Sequence, residues 1–228
     1  MFDYGTARGG ALYYAMEYLD GLTLGEILAR EPLLPIGRTM HLLRQVCAAL
    51  VEAHGKGLVH RDIKPENTMV CRYGGIYDHV KILDFGLVKQ LSGKHSRDLT
   101  RGLRILGTPL YMAPERLRNP ADVDARADIY SVGAMAYLMV SGRKPFEADN
   151  DLSLTSAILN DAAPALDEAA PPELRQLTMR CLAKRREDRP QTIAELVEAF
   201  EALALEHRWT QRDAEAWWAG VPSRTIIG

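Results

Sequence analysis

The chain has 228 residues, 47% of them hydrophobic, which is enough to bury a sizeable core as one large domain or two small ones. Its 28 basic and 30 acidic residues give a formal charge of -2, so no bulk positive field recruits nucleic acid or an anionic membrane. Cys47, Cys71 and Cys181 are odd in number, widely spaced and set among apolar neighbours. They read as small buried hydrophobes in a reducing, cytoplasmic compartment, not as a disulfide framework. No stretch approaches the roughly 18 uncharged apolar residues of a membrane span, and the first residues lack a basic-then-apolar signal pattern.

In chain order, Gly5-Thr6-Ala7-Arg8-Gly9-Gly10 does not fit G-x-G-x-x-G and reads as a turn between two strands. Residues 11–19, rich in aromatic and aliphatic side chains, predict a β-strand. Asp20-Gly21 predicts a turn, and Thr23 with Glu26 forms a capping box that opens a short helix. After Pro35, the residues Met40, Leu43, Cys47, Leu50, Val51 and His54 recur at intervals of three and four. They mark one face of a long amphipathic helix ended by Gly55-Lys56-Gly57. His54 is placed facing the core, the alternative being a catalytic role.

The run His60-Arg61-Asp62-Ile63-Lys64-Pro65-Glu66-Asn67 follows, and then Asp84-Phe85-Gly86. Two short strands, Thr68-Met69-Val70-Cys71 and Val80-Lys81-Ile82-Leu83, are predicted between them around a turn at Tyr73-Gly74-Gly75. An aspartate able to accept a proton, a nearby lysine, and an asparagine and aspartate able to hold a divalent cation are the groups phosphoryl transfer needs. That reaction has a loose transition state whose charge must be positioned and screened. Residues 87–106 are rich in Lys, Arg, Ser and Thr, and Gly107-Thr108-Pro109-Leu110-Tyr111-Met112-Ala113-Pro114-Glu115 closes the segment.

Asp128 opens a run that is apolar almost all round through Val140, so that helix must be buried, and Gly142 caps it. Pro171-Pro172-Glu173 supplies helix-start residues, and Thr192 with Glu195 forms a second capping box. Trp209, Trp217 and Trp218 in the last residues either pack on the body or offer an apolar face to a partner.

The three motifs in this order resemble the eukaryotic-type, Hanks-type serine/threonine protein kinases, of the bacterial kind. The resemblance implies a mainly α (α+β) fold, a kinase C-lobe built as a helical bundle around a buried central helix with short β-hairpins. It divides the chain into 1–19, the last strands of the N-lobe and the hinge; 20–206, the C-lobe; and 207–228, a tail. It implies ATP and Mg²⁺ as cofactors. Asp62 would accept the proton of a substrate hydroxyl, Lys64 would sit beside the transferring group, and Asn67 and Asp84 would hold Mg²⁺. Met16 would guard the back of the nucleotide pocket, and the backbone of Glu17 and Leu19 would bond adenine.

His60, Phe85 and Gly86 complete the motifs, and Arg61 would bind a phosphorylated activation loop. Thr100 is the first choice of phosphosite and Ser96 the second, an unmodified solvated loop being the alternative. Thr108 would touch Asp62 and Lys64, Asp128 would hold the backbone of the catalytic loop, and Arg189 would pair with Glu115. The sequence departs from the family in having no lysine before Lys56 and no glycine-rich loop. Most of an N-lobe is therefore missing from the pattern, and activity of the isolated chain would be impaired. Three readings stay open: a fragment or a start placed at an internal methionine, a pseudokinase-like binding module, and half of a complex completed in trans. The partners implied are a protein substrate and a missing N-lobe or partner kinase, with no nucleic acid and no membrane segment.

Overall fold

Helix α4, Arg126–Ser141, decides the architecture. It has no polar stripe, and from Ala127 to Val140 only Leu138 is less than fully buried, so the other helices must wrap it. The computed structural model of the protein describes residues 3–6, 12–15, 17–83 and 109–222. Met16, Asp84, Phe85, Gly86, Ser96, Thr100 and Thr108, each given a role from sequence, lie outside the described residues.

The first elements are an antiparallel pair, β1 (Asp3–Thr6) and β2 (Leu12–Ala15), in register Tyr4 to Tyr14. Among the described residues of the strand expected over 11–19, only 12–15 are in strand, and 17–19 are not. Short strand β3 (Gly21–Thr23) leads into α1 (Leu24–Arg30). The turn expected at Asp20-Gly21 is corrected here. Gly21 lies in a strand paired with Cys71, and a Cβ on it would sit 2.3 Å from the Val70 carbonyl oxygen, so close backbone approach is what requires glycine.

The capping box at Thr23 and Glu26 is formed, with Glu26 N donating to Thr23 Oγ1 at 3.1 Å and Thr23 N donating to Glu26 Oε2 at 2.8 Å. Long helix α2 (Ile36–Gly55) buries Met40, Leu43, Val46, Cys47 and Leu50 against α4 and α7. Strands β4 (Thr68–Tyr73) and β5 (Ile76–Ile82) form a hairpin longer than the two strands read from sequence, and β3-β4-β5 make one antiparallel sheet. The hairpin turns at Gly74-Gly75, and its register shifts between Cys71 and Tyr73.

Beyond residue 108 the described chain is helical: α3 (Pro114–Arg118), α4, α5 (Asp151–Asn160), α6 (Pro172–Cys181), α7 (Ile193–Glu206) and α8 (Gln211–Trp218). Gly142 closes α4 in the left-handed conformation and Thr192 with Glu195 caps α7. Helix α8 opens with a third capping box, Thr210 with Asp213, and packs on β5. The three tryptophans turn inward: Trp218 is buried and Trp209 and Trp217 pack against the core. The fold is mostly helical, and among the described residues no helix is long and apolar enough to cross a membrane.

Cys181 on α6 meets Gly133 of α4, where a Cβ would lie 2.4 Å from the Cys181 Cβ. Neither helix can retreat without opening the core. Gly133→Ala should therefore lower stability by about 1–3 kcal/mol through overpacking, measured as a fall in the urea midpoint at unchanged slope.

Candidate active site

Asp128 sits in the first turn of α4 with no exposed surface. A buried carboxylate must be matched by donors, and this one is. Oδ2 accepts from the His60 amide at 2.8 Å and lies 2.8 Å from His54 Nε2, while Oδ1 accepts from the Arg61 amide at 2.8 Å. The most buried helix thereby fixes the loop that carries Asp62. His54 faces inward, as its helical spacing predicts, yet it is a polar brace and not an apolar core residue.

Arg61 adopts φ +70°, an uncommon conformation for a side-chain-bearing residue that costs energy unless its surroundings hold it. Its amide is held by Asp128, and its carbonyl accepts from the Arg116 guanidinium on α3. Burial lowers the Arg116 pKa, against which the Asp62 carboxylate acts to raise it. The residue before Asp62 is thus gripped on both sides. His60, almost fully buried, continues the same support. Its Nδ1 accepts from the Asp62 amide at 3.2 Å, a bond that assigns the proton to Nε2, 2.9 Å from the Leu83 carbonyl oxygen.

Asp62, Lys64 and Asn67 converge. Lys64 Nζ donates to Asp62 Oδ2 at 2.7 Å, and Asn67 Nδ2 donates to the same oxygen at 2.8 Å and to the Asp62 carbonyl at 2.9 Å. Both donors take Oδ2, and among the described residues nothing bonds Oδ1, on a side chain that is 45% exposed. Lys64 and Asn67 are presented by a single 3₁₀ turn at Pro65–Asn67, where the Asn67 amide donates to the Lys64 carbonyl at 3.0 Å. A proton acceptor, a fixed cation and an amide oxygen therefore share one small surface.

Residues 17–20 run along the edge of the β4–β5 hairpin. Lys81 Nζ donates to both carboxylate oxygens of Glu17, at 2.6 and 2.8 Å, and Arg72 donates to Asp20 from its amide at 2.8 Å and its guanidinium at 2.7 Å. The backbone groups of Glu17 and Leu19 make no hydrogen bond to another described residue.

The donor set fits a nucleotide and a hard cation as far as the described residues carry it. Asn67 makes both of its side-chain hydrogen bonds through Nδ2, so among the described residues its Oδ1 has no partner, and an oxygen donor of this kind would suit Mg²⁺. Its intended companion, Asp84, lies outside the described residues; among those described no group of three His, Cys, Asp or Glu forms a metal cage. A cysteine nucleophile is disfavoured, since burial pushes the Cys71 thiol up to about 11 and the Cys181 thiol up to about 12.

Glu115 and Arg189 form a separate brace below the site. The Arg189 guanidinium donates to both Glu115 oxygens at 2.8 Å and also to the carbonyls of Ala183, Lys184 and Arg126. Its side chain is wholly buried. Because Arg116 follows Glu115, this pair ties α3 to the body and so supports the grip on Arg61. Sequence reading missed Arg116 and the polar role of His54. Each depends on a partner that local spacing does not reveal.

Compared with known proteins, residues 4–209 match the family described as protein kinase domain. The chain is 38% identical over 214 residues to serine/threonine-protein kinase pkn3 of Myxococcus xanthus, covering 91% of this chain and 39% of that protein. It is 39% identical over 205 residues to serine/threonine-protein kinase Pkn1 of the same organism, covering 86% of this chain and 28% of the relative. To serine/threonine-protein kinase PknB of Mycobacterium tuberculosis it is 34% identical over 194 residues, with 84% and 30% covered. The chain thus spans about two fifths or less of the curated relatives it matches.

Removing one member of the buried Glu115–Arg189 pair strands the other charge. Glu115→Ala should cost about 3–5 kcal/mol in chemical denaturation, and Glu115→Gln, which keeps an acceptor oxygen, distinctly less.

Proposed function

Because the chain belongs to the protein kinase domain family, we propose that it transfers the γ-phosphoryl group of ATP to serine and threonine hydroxyls of protein substrates. One observation carries this reading. The Asp62 carboxylate has one oxygen held by Lys64 and Asn67 and the other without a partner among the described residues, on a loop held by Asp128.

Mg·ATP, when bound, supplies the phosphoryl group and part of the charge that screens it. Asp62 Oδ1 takes the proton of the acceptor hydroxyl as the new O–P bond forms and the bond to the ADP leaving group breaks. Lys64 stays 2.7 Å from Asp62 and offers its positive charge to the transferring group, the pattern of serine/threonine and not tyrosine kinases. Asn67 and, by the sequence reading, Asp84 hold the cation. The backbone of Glu17 and Leu19 would receive the adenine edge, and by the sequence reading Met16 would stand behind it. Thr108 would seat the acceptor, and Arg61 would meet a phosphate on the segment carrying Thr100.

A second reading, a kinase-lobe binding module or one half of an enzyme completed in trans, is favoured by two features of these 228 residues: no lysine precedes Lys56, and no glycine-rich loop is present. The charge that a lysine would place on the α- and β-phosphates is therefore lacking in the isolated chain. Loss of one preorganised charge-stabilising group costs about 10²–10³ in rate.

The test is phosphate incorporation from labelled Mg·ATP into a mixed peptide pool by the 228-residue chain, beside Asp62→Asn. Against the 1–100 s⁻¹ typical of kinases, a loss of that size gives about 10⁻³–1 s⁻¹; we expect phosphoserine and phosphothreonine only, and no signal above background from Asp62→Asn. Equal signals from the two proteins would reject catalysis, and peptide binding without turnover would favour the module.

A further inference from the structure

The buried ion pair on the far side of the β4–β5 hairpin has no part in the proposed chemistry. Arg38 of α2 and Asp78 of β5 are both fully buried. Asp78 Oδ1 accepts from Arg38 Nη2 at 2.9 Å and from Trp218 Nε1 at 2.7 Å, and Oδ2 accepts from Arg38 Nε and Trp209 Nε1, each at 2.9 Å. Its carbonyl accepts from Gln45 at 2.8 Å, and its φ is +54°. Two indole N–H groups from the last described residues thus complete a carboxylate that would otherwise be under-satisfied. Trp217 closes the arrangement by donating to Glu31 at 2.8 Å while its ring lies 3.8 Å from the Arg38 guanidinium. Gln211 fastens the start of α8 to the Tyr77 backbone in both directions, at 2.8 and 3.0 Å.

This node does more than finish the core. The Trp218 ring lies 5.3 Å from the guanidinium of Arg72, the residue that holds Asp20. Lys81, the residue that holds Glu17, is on β5 three positions after Asp78. Both ends of 17–20 are therefore gripped by cations of one hairpin, and α8 packs on that hairpin. Partly exposed ion pairs are weak restraints when their bases are free to move. Here the base of Arg72 is restrained by an aromatic ring that is itself locked to Asp78.

We propose that α8 is a working part of the nucleotide edge, and that Trp218 and Arg72 are positioning residues which hold the backbone of Glu17 and Leu19 in the geometry that receives adenine. The proposal rests on the nucleotide reading above. It makes 207–222 functionally inseparable from the hairpin, although the family match ends at residue 209.

The test combines backbone ¹⁵N order parameters of 17–20 with the dissociation constant of Mg·ADP, in the wild-type chain, Arg72→Met, Trp218→Leu and Trp218→Phe. Arg72→Met leaves the bonds to Asp78 intact, and unchanged order parameters in α8 verify that the tail stays docked. For Arg72→Met and Trp218→Leu we expect the order parameters of 17–20 to fall from about 0.85 to below about 0.6 and the Mg·ADP constant to rise about five- to tenfold. Those of α4 should stay unchanged. Trp218→Phe keeps a ring beside Arg72 but loses the bond to Asp78, and should fall between wild type and Trp218→Leu in both readouts. Unchanged order parameters at 17–20 in Arg72→Met overturn the proposal, and so does a fall with unaltered Mg·ADP affinity. A fall in a chain whose wild-type form does not bind Mg·ADP keeps the brace and rejects the nucleotide reading on which its role was built.

Discussion

Everything at the candidate site depends on one buried carboxylate. Asp128 enters the core because it belongs to α4, whose apolar surface leaves that helix no other place. An unpaired charge there would be prohibitive. Its compensation comes from two consecutive loop amides and the His54 imidazole, not from an arginine. The consequence is geometric: the backbone at His60 and Arg61 is bound to the most rigid element of the fold, and Asp62 follows directly. Arg61 can remain at a positive φ because Asp128 and Arg116 hold its peptide groups from opposite sides. Burial of a helix is thus converted into placement of a carboxylate.

A second buried carboxylate, Asp78, organises the opposite edge by different means. Arg38 neutralises it through two bonds, and two indoles satisfy its remaining lone pairs. Buried ion pairs are poor evidence of stability, since well-packed apolar groups often do as well, but losing one partner is costly. They do specify geometry. One node fixes the loop that carries Asp62 and the other fixes the hairpin whose Arg72 and Lys81 hold 17–20.

Features written in short sequence windows were legible. The capping boxes at Thr23 and Thr192, the helix after Pro35, the buried helix after Asp128 and the cap at Gly142 are each set by residues within a turn or two of one another. The motif residues Asp62, Lys64 and Asn67 were legible as a group because their chemistry is carried by spacing within one loop. Long-range pairing was not. Gly21 looked like a turn because its partner strand lies fifty residues on, at Val70 and Cys71. The strand over 11–19 was read too long because hydrophobic content does not show where ladder pairing gives way to side-chain clamps from Arg72 and Lys81. Arg116, Arg38 and Asp78 were invisible for the same reason, Asp78 being 140 residues from Trp218. The tryptophans in the tail were the available signal, since indole N–H groups that bury themselves need acceptors. The cap of α8 escaped notice because aspartate takes the position usually read for glutamate.

The central claim is that Asn67, oriented by its bonds to Asp62, presents its amide oxygen to the cation of a bound nucleotide. Paramagnetic broadening in a ¹⁵N-labelled chain, with Mn²⁺·ADP in place of the Mg²⁺ complex, tests this directly. The account predicts strong, ADP-dependent broadening of the Asn67 side-chain amide and none at Asn160, which lies at the end of α5. Broadening equal at both, or absent at Asn67 with ADP bound, would contradict it.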